Sequence, residues 1–232
     1  MTSNILTLII AAAFVASPFV YLLGRSMGKK VGWLVVAVFI VMTIGLVNLF
    51  PTVEHEVLME EYSWVSAPVN LKFGLMGDGL SVPMLFTYVF VFAGAALFSI
   101  PYMERRFKQD DVEESNEQYA RFYTLFLLYG ASVSGCMLAT NLIQFFMFFE
   151  LALVFSWLLV FLYGYGDRKN NSMVYFVWTH IGGGAFLTGI LGAYWNVGSF
   201  EIADLMHIAE HPGAFWVGIF ITLGLLVKIG AL

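Results

Sequence analysis

Apolar residues run along this chain in lengths that a soluble core has no use for. Seven predominantly apolar stretches follow one another, at 4–23, 31–50, 80–102, 119–139, 142–163, 172–195 and 214–232. Each has close to the about 20 residues that an α-helix needs to cross the hydrocarbon core of a bilayer. Unpaired sheet edges are not tolerated in hydrocarbon, because every backbone N–H and C=O must be satisfied within the structure, so the stretches predict helices. Two connections carry patterns of their own. Val69, Leu71, Phe73 and Leu75 alternate with other residues ahead of Gly77-Asp78-Gly79, which predicts a short hairpin. Residues 201–211 place Ile202, Leu205, Met206, Ile208 and Ala209 at helical spacing before Pro212, which predicts a short helix lying along the membrane surface. No repeat, low-complexity run or soluble domain interrupts the series. The expectation is an all-α membrane protein in which 1–232 forms a single transmembrane helical domain of about seven helices.

The connections also predict an orientation. The first, third and fifth hold Arg25, Lys29, Lys30, Arg105, Arg106, Lys108, Arg168 and Lys169, whereas the second, fourth and sixth hold only Lys72. By the positive-inside rule the odd connections are cytoplasmic and the N-terminus is outside. Asp110, Asp111, Glu113 and Glu114 share the third connection, but acidic residues contribute little to orientation. The first apolar stretch has no positive charge before it other than the amino terminus, so it reads as a retained helix and not a signal peptide.

Composition agrees. The chain is 60% hydrophobic and 12% charged, about half the charged share of a soluble domain, roughly 25%. A net charge of −5 suggests neither a nucleic-acid partner nor a polybasic lipid clamp. Cys136 is the single cysteine, which excludes a disulfide framework and a Cys-rich metal site.

The informative residues are ionisable groups inside the apolar stretches, where a charge costs about 2.5–3.5 kcal/mol at the helix centre. Glu150 stands between Phe145-Phe146-Met147-Phe148-Phe149 and Leu151-Ala152-Leu153-Val154. It reads as a proton-carrying carboxylate, or else as a protonated structural carboxyl bonded to a neighbouring helix. Lys228 lies far into the seventh stretch and is either a transfer group or a lysine snorkelling to the cytoplasmic edge. His180, in the sixth, is either a proton acceptor near neutral pH or a neutral imidazole bonded to a carbonyl or hydroxyl. Gly182-Gly183-Gly184, continued by Ala185, Gly189 and Ala193, reads as a small-residue packing face; it lacks the setting of a phosphate loop. His207 and His211, near Asp204 and Glu210, fit a solvated amphipathic face better than a metal site. No nucleophile–base pair, dinucleotide fingerprint or cofactor ligand set is found, so no cofactor and no catalytic residue is expected.

These residues resemble a known family: the antiporter-like subunits shared by respiratory complex I, multisubunit Na⁺/H⁺ antiporters and energy-converting membrane hydrogenases. The resemblance rests on Asp78-Gly79-Leu80-Ser81, Tyr102-Met103, Asn141-Leu142 through Phe149-Glu150-Leu151, Ser156-Trp157-Leu158-Leu159, and Leu226-Val227-Lys228-Ile229-Gly230. It implies that Glu150 and Lys228 are the glutamate and lysine of a first half-channel. It also implies about fourteen helices in two inverted repeats, of which this chain resembles the first half only. Another polypeptide then supplies the second half, or the chain is cut short. Where relatives close to complex I carry Thr-Arg-Val-Gly-Asp, this chain has Thr179-His180-Ile181-Gly182-Gly183.

The functional expectation is a proton- or sodium-translocating subunit of a multisubunit complex in the cell membrane or another energy-transducing membrane, working through a Glu150–Lys228 relay with His180. Such a subunit moves ions without redox chemistry of its own. Its expected partners are other membrane subunits, including one completing the second half, and membrane lipid, with no nucleic acid. The competing expectation is a non-conducting assembly subunit. A standalone carrier fits less well, because the second repeat is missing.

Overall fold

A computed structural model of the chain describes residues 4–66, 71–109 and 115–230. Val69, the acidic run at 110–114 and the end of the seventh stretch at Leu232 lie outside them. Every predicted apolar stretch is helical: α1 (Ile5–Met27), α2 (Val31–Val47), α4 (Ser81–Gln109), α5 (Asn116–Leu138), α6 (Leu142–Tyr163), α7 (Arg168–Val197) and α8 (Ala214–Lys228). A single-turn α3 (Phe50–Val53) follows α2 and takes up the last residue of the second stretch. The predicted hairpin is β1 (Leu58–Val65) paired with β2 (Leu71–Gly77). The predicted surface helix is instead a 3₁₀ helix, Ile202–Glu210, with His211 in extended conformation after it. By length and hydropathy, four helical stretches among the described residues qualify as membrane spans: 5–53, which joins α1 to α2 through a 3₁₀ turn, then Ser81–Lys108, Leu142–Tyr163 and Arg168–Val197. α8 is apolar but shorter within the described residues. The polar first turns of α5, with Asn116, Glu117, Gln118 and Arg121, dilute its hydropathy.

The sequence places the basic residues in connections; the structure puts most of them in helical ends. Arg25 lies in the last turns of α1, Arg106 and Lys108 in those of α4, and Arg168 opens α7. The aligned peptide dipoles favour cations at the C-termini of α1 and α4, so these two helices run past their apolar cores. Lys29 and Lys108 share Glu104 at 3.0 and 3.1 Å.

The chain divides into two compact units, 1–60 with 76–138, and 61–75 with 139–232. In the first, α1 packs chiefly on α5, and α2 on α4. Its core holds Leu6, Phe39, Met42, Leu46, Leu85, Tyr119, Tyr123 and Leu127, all essentially inaccessible. Gly32 admits the Tyr123 ring, since a Cβ there would stand 2.6 Å from its hydroxyl. The N-terminus of α1 is closed from a distance. Asn4 makes no side-chain cap; the buried Glu60 carboxylate of β1 accepts from Leu6 N at 2.8 Å and from Thr7 N and Oγ1 at 2.9 and 2.6 Å. A carboxylate suits this place, because first-turn amides have no partner within the helix.

The second unit positions the site. β2 extends edge to edge into residues 139–141, and these into 200–202, through bridges Leu75–Ala139 and Asn141–Glu201. Thr140 N donates to Gly74 O at 3.3 Å, Leu142 N to Phe200 O at 2.8 Å and Ile202 N to Thr140 O at 2.9 Å. Glycine at 74 leaves room for the Thr140 side chain, as a Cβ would meet Thr140 Oγ1 at 2.1 Å. From this layer α6 starts with a cap built of two side chains. Asn141 Oδ1 accepts from Gln144 N at 2.8 Å, and Gln144 Oε1 accepts from Gly74 N at 2.9 Å. Asn141 Nδ2 donates to Lys72 O at 2.6 Å. Both side chains are fully buried, so the start of α6 is fixed in register.

Beside this layer, Lys72 pairs with Glu61 at 2.7 Å, and the hydrogen bond holds the lysine above its ordinary value. Burial pushes the Glu201 carboxyl above its ordinary value, with Glu61 and Asp204 adding and Lys72 opposing. A carboxyl raised in the folded state contributes stability that is present below its unfolded value, near pH 4, and lost as pH rises through the folded one. We therefore expect Glu201→Gln to raise the thermal midpoint in detergent at pH 8, with the gain vanishing at pH 4. In the first unit, Glu60→Ala leaves buried amides without an acceptor. It should cost about 1.5–3 kcal/mol, the worth of hydrogen bonds to a charged group, read as a lower thermal midpoint; an unchanged midpoint would refute the remote cap.

Candidate functional site

Within the second unit, α7 packs against both α6 and α8, and most extensively against α8. Small residues make the α7–α8 approach close. A Cβ on Gly182 would stand 2.7 Å from Val227 Cβ. One on Gly224 would stand 2.5 Å from Phe186 Cβ and 2.7 Å from Gly182 O, and one on Gly189 would stand 2.9 Å from Ile221 N. This is how membrane helices associate, through backbone proximity rather than a hydrophobic drive. Gly182 and Gly189 are thus packing positions, as the sequence suggests, whereas Gly184 has nothing within 4 Å of an added Cβ.

The three ionisable residues singled out from the sequence come from these three helices. Glu150 of α6 extends to α7, where its Oε2 lies 3.2 Å from His180 Nδ1. The Glu150 side chain is 21% exposed and that of His180 65%. The imidazole stacks on Phe176, one turn earlier, with ring centroids 5.5 Å apart and planes 11° apart. Glu150 Oε1 is buried and accepts no hydrogen bond from the described residues. It occupies the space a side chain at position 183 would need, 2.4 Å from where a Gly183 Cβ would stand. Lys228 of α8 reaches α6 one residue before Glu150. Its Nζ donates to Phe149 O at 3.1 Å and sits 4.1 Å from the centre of the Phe149 ring, a cation–π placement that offsets part of its desolvation. The carboxylate, the imidazole and the ammonium are therefore gathered around positions 149–150 of α6.

The same helix pair carries a line of hydroxyls that the sequence reading leaves unassigned. Ser156 Oγ and Tyr175 Oη are 2.8 Å apart, with either able to donate, and Thr179 Oγ1 donates to Tyr175 O at 2.6 Å. Tyr175, Thr179 and Gly183 are spaced by four, on one stripe of α7; that spacing, with Ser156 in an otherwise apolar stretch, is the signal that could have found them. In the sequence, Ser156-Trp157 stands out only through its family resemblance. His207 Nδ1 lies 4.0 Å from Glu210 Oε1 on an exposed face, and no metal-binding group of His, Cys, Asp and Glu is found among the described residues.

Helices this long and apolar define a multi-pass α-helical membrane protein. Residues 139–232, the site included, match the family model described as "NADH:quinone oxidoreductase/Mrp antiporter, TM". The chain is 32% identical over 155 residues to NAD(P)H-quinone oxidoreductase subunit 5 of the chloroplast of Anthoceros angustus, covering 66% of this chain and 20% of the relative. It is 31% identical over 183 residues to F(420)H(2) dehydrogenase subunit M of Methanosarcina mazei, covering 74% of this chain and 34% of the relative. Its fold is that of a chain in the Mrp complex of Dietzia sp. DQ12-45-1b, with a TM-score of 0.81 and 20% identity over 96% of this chain and 23% of that one. Residues 139–232 thus resemble that family's transmembrane region, and the chain spans only a fifth to a third of the length of these curated relatives.

The site's geometry depends on α8 lying against α7, and a Gly224→Ala side chain would meet backbone there. It should force the helices apart, at the about 1–3 kcal/mol typical of overpacking. The check is a lower thermal midpoint in detergent for Gly224→Ala, beside an unchanged one for Gly184→Ala on the open side of α7. Equal midpoints for the two variants would contradict the close approach.

Proposed function

We propose that the chain is a proton- or cation-translocating subunit of a larger membrane complex, and that Glu150, His180 and Lys228 are its transfer groups. The observation carrying this reading is the convergence of a carboxylate, an imidazole and an ammonium at positions 149–150 of α6. Intramembrane ionisable residues are costly and belong by default to ion pathways. Here the carboxylate has one oxygen at the imidazole and the other oriented inward, without a donor among the described residues.

A charge at a few ångströms, in a medium of effective dielectric near 20, is worth a few kcal/mol. Displacing the Glu150 carboxylate by a side-chain rotation therefore changes the proton affinity of the groups beside it, and its return restores it. An event elsewhere in the complex that biases the carboxylate position would load and unload them in turn. The hydroxyls of Ser156 and Tyr175 give protons a polar route along α6 and α7.

The partners in this reading are other membrane subunits, with lipid around the chain and no nucleic acid. The whole chain acts as one transmembrane domain with its N-terminus outside, as the distribution of basic residues argues. The structural alternative, a non-conducting assembly subunit, differs in one consequence: in it the three residues are dispensable.

Glu150→Gln and Lys228→Ala should each abolish coupled ion movement in vesicles holding the assembled complex while assembly survives. Full pumping by an assembled Glu150→Gln complex would return the chain to the structural class.

A further inference from the structure

Resting on that reading, we infer that Gly183 is a positioning residue, which directs the Glu150 carboxylate sideways onto His180 by leaving open the volume that Oε1 fills. The glycines of the 182–184 run differ in what opposes them. A methyl on Gly182 would meet Val227 Cβ at 2.7 Å and Gly224 O at 3.4 Å, the body of the neighbouring helix. A methyl on Gly184 would meet nothing within 4 Å. A methyl on Gly183 would meet only the end of one flexible side chain: Oε1 at 2.4 Å, Cδ at 3.3 Å and Oε2 at 3.7 Å, all of Glu150. The helix pair has no reason to separate when this position is filled, because rotation of the Glu150 side chain relieves the overlap. The carboxylate is what must move.

Its direction follows from the neighbours. Position 183 is one turn after His180 on α7, so the open volume and the imidazole border the same carboxylate. With Oε1 seated against the glycine, Oε2 falls 3.2 Å from Nδ1. At the adjacent residue of α6, the ammonium of Lys228 holds the carbonyl of Phe149. The titratable group at the Glu150 carboxylate is thus His180 on α7, while Lys228 on α8 binds the main chain one residue earlier. Filling position 183 removes the seat that holds the carboxylate at the imidazole, without touching His180 itself.

The test uses the complete chain in its membrane assembly, with two readouts. The first is the ¹⁵N–¹³C dipolar contact between the His180 imidazole and the Glu150 carboxyl in isotope-labelled chain, in a His207→Gln background that removes the neighbouring His207–Glu210 approach. The second is the rate of ion translocation. Gly183→Ala should lose the contact and slow translocation about tenfold, within the range of coupling between touching residues. His180→Gln should slow it equally, the double variant no further, and Gly184→Ala should behave as wild type. A persisting contact in Gly183→Ala, or slowing that multiplies in the double variant, overturns the inference. Full translocation by His180→Gln sinks instead the transfer role of the imidazole, leaving the dipolar contact to decide the positioning alone. Should Gly183→Ala fail to assemble, Glu150→Asp, one methylene shorter, should restore assembly in the same chain; failure of that rescue also overturns the inference.

Discussion

An ionised side chain in hydrocarbon is stable only beside something that replaces its water. That constraint organises the second unit. Glu150 has an imidazole at one oxygen, Lys228 has a main-chain carbonyl and the face of a phenyl ring, and both arrangements sit where three helices meet. Both placements depend on a fixed start to α6. That start is set by Asn141 and Gln144, which are buried and bound to β2 and its neighbour segments. A layer at the end of the helices thus determines, through helix register, which side chains confront one another two turns further in.

Glycine serves two purposes along α7. Gly182 and Gly189 bring α8 close enough for backbone contact, and this places Lys228 at the main chain of α6. Gly183 faces the carboxylate instead. The two purposes fall on adjacent positions in a run of three identical residues, so a substitution there separates helices or redirects a charge according to a shift of one position.

Much of this was legible in the residues. The apolar run lengths announced the seven long helices, with α6 matched end to end. The alternation before Gly77-Asp78-Gly79 announced the hairpin, and the ionisable residues inside apolar stretches pointed to Glu150, His180 and Lys228. The helix ends were not legible, because Arg105, Arg106 and Lys108 read as loop residues by polarity while they continue α4 by propensity and dipole. The 201–211 segment carries helical spacing that cannot distinguish a 3₁₀ helix from an α-helix over so few turns. The Glu60 cap on α1 joins residues more than fifty positions apart, and no local pattern signals it. The meeting of Glu150 with His180 was hidden for the same reason. It depends on the rotation of α6 against α7, which small residues allow but do not specify.

The most direct test of the central claim is a structure of the assembled complex at a resolution that shows ordered water. The account predicts the Glu150 carboxylate against the His180 imidazole and an unbroken file of waters and polar groups from there to the Lys228 ammonium. Glu150 turned towards lipid, with dry apolar packing between it and Lys228, would contradict it.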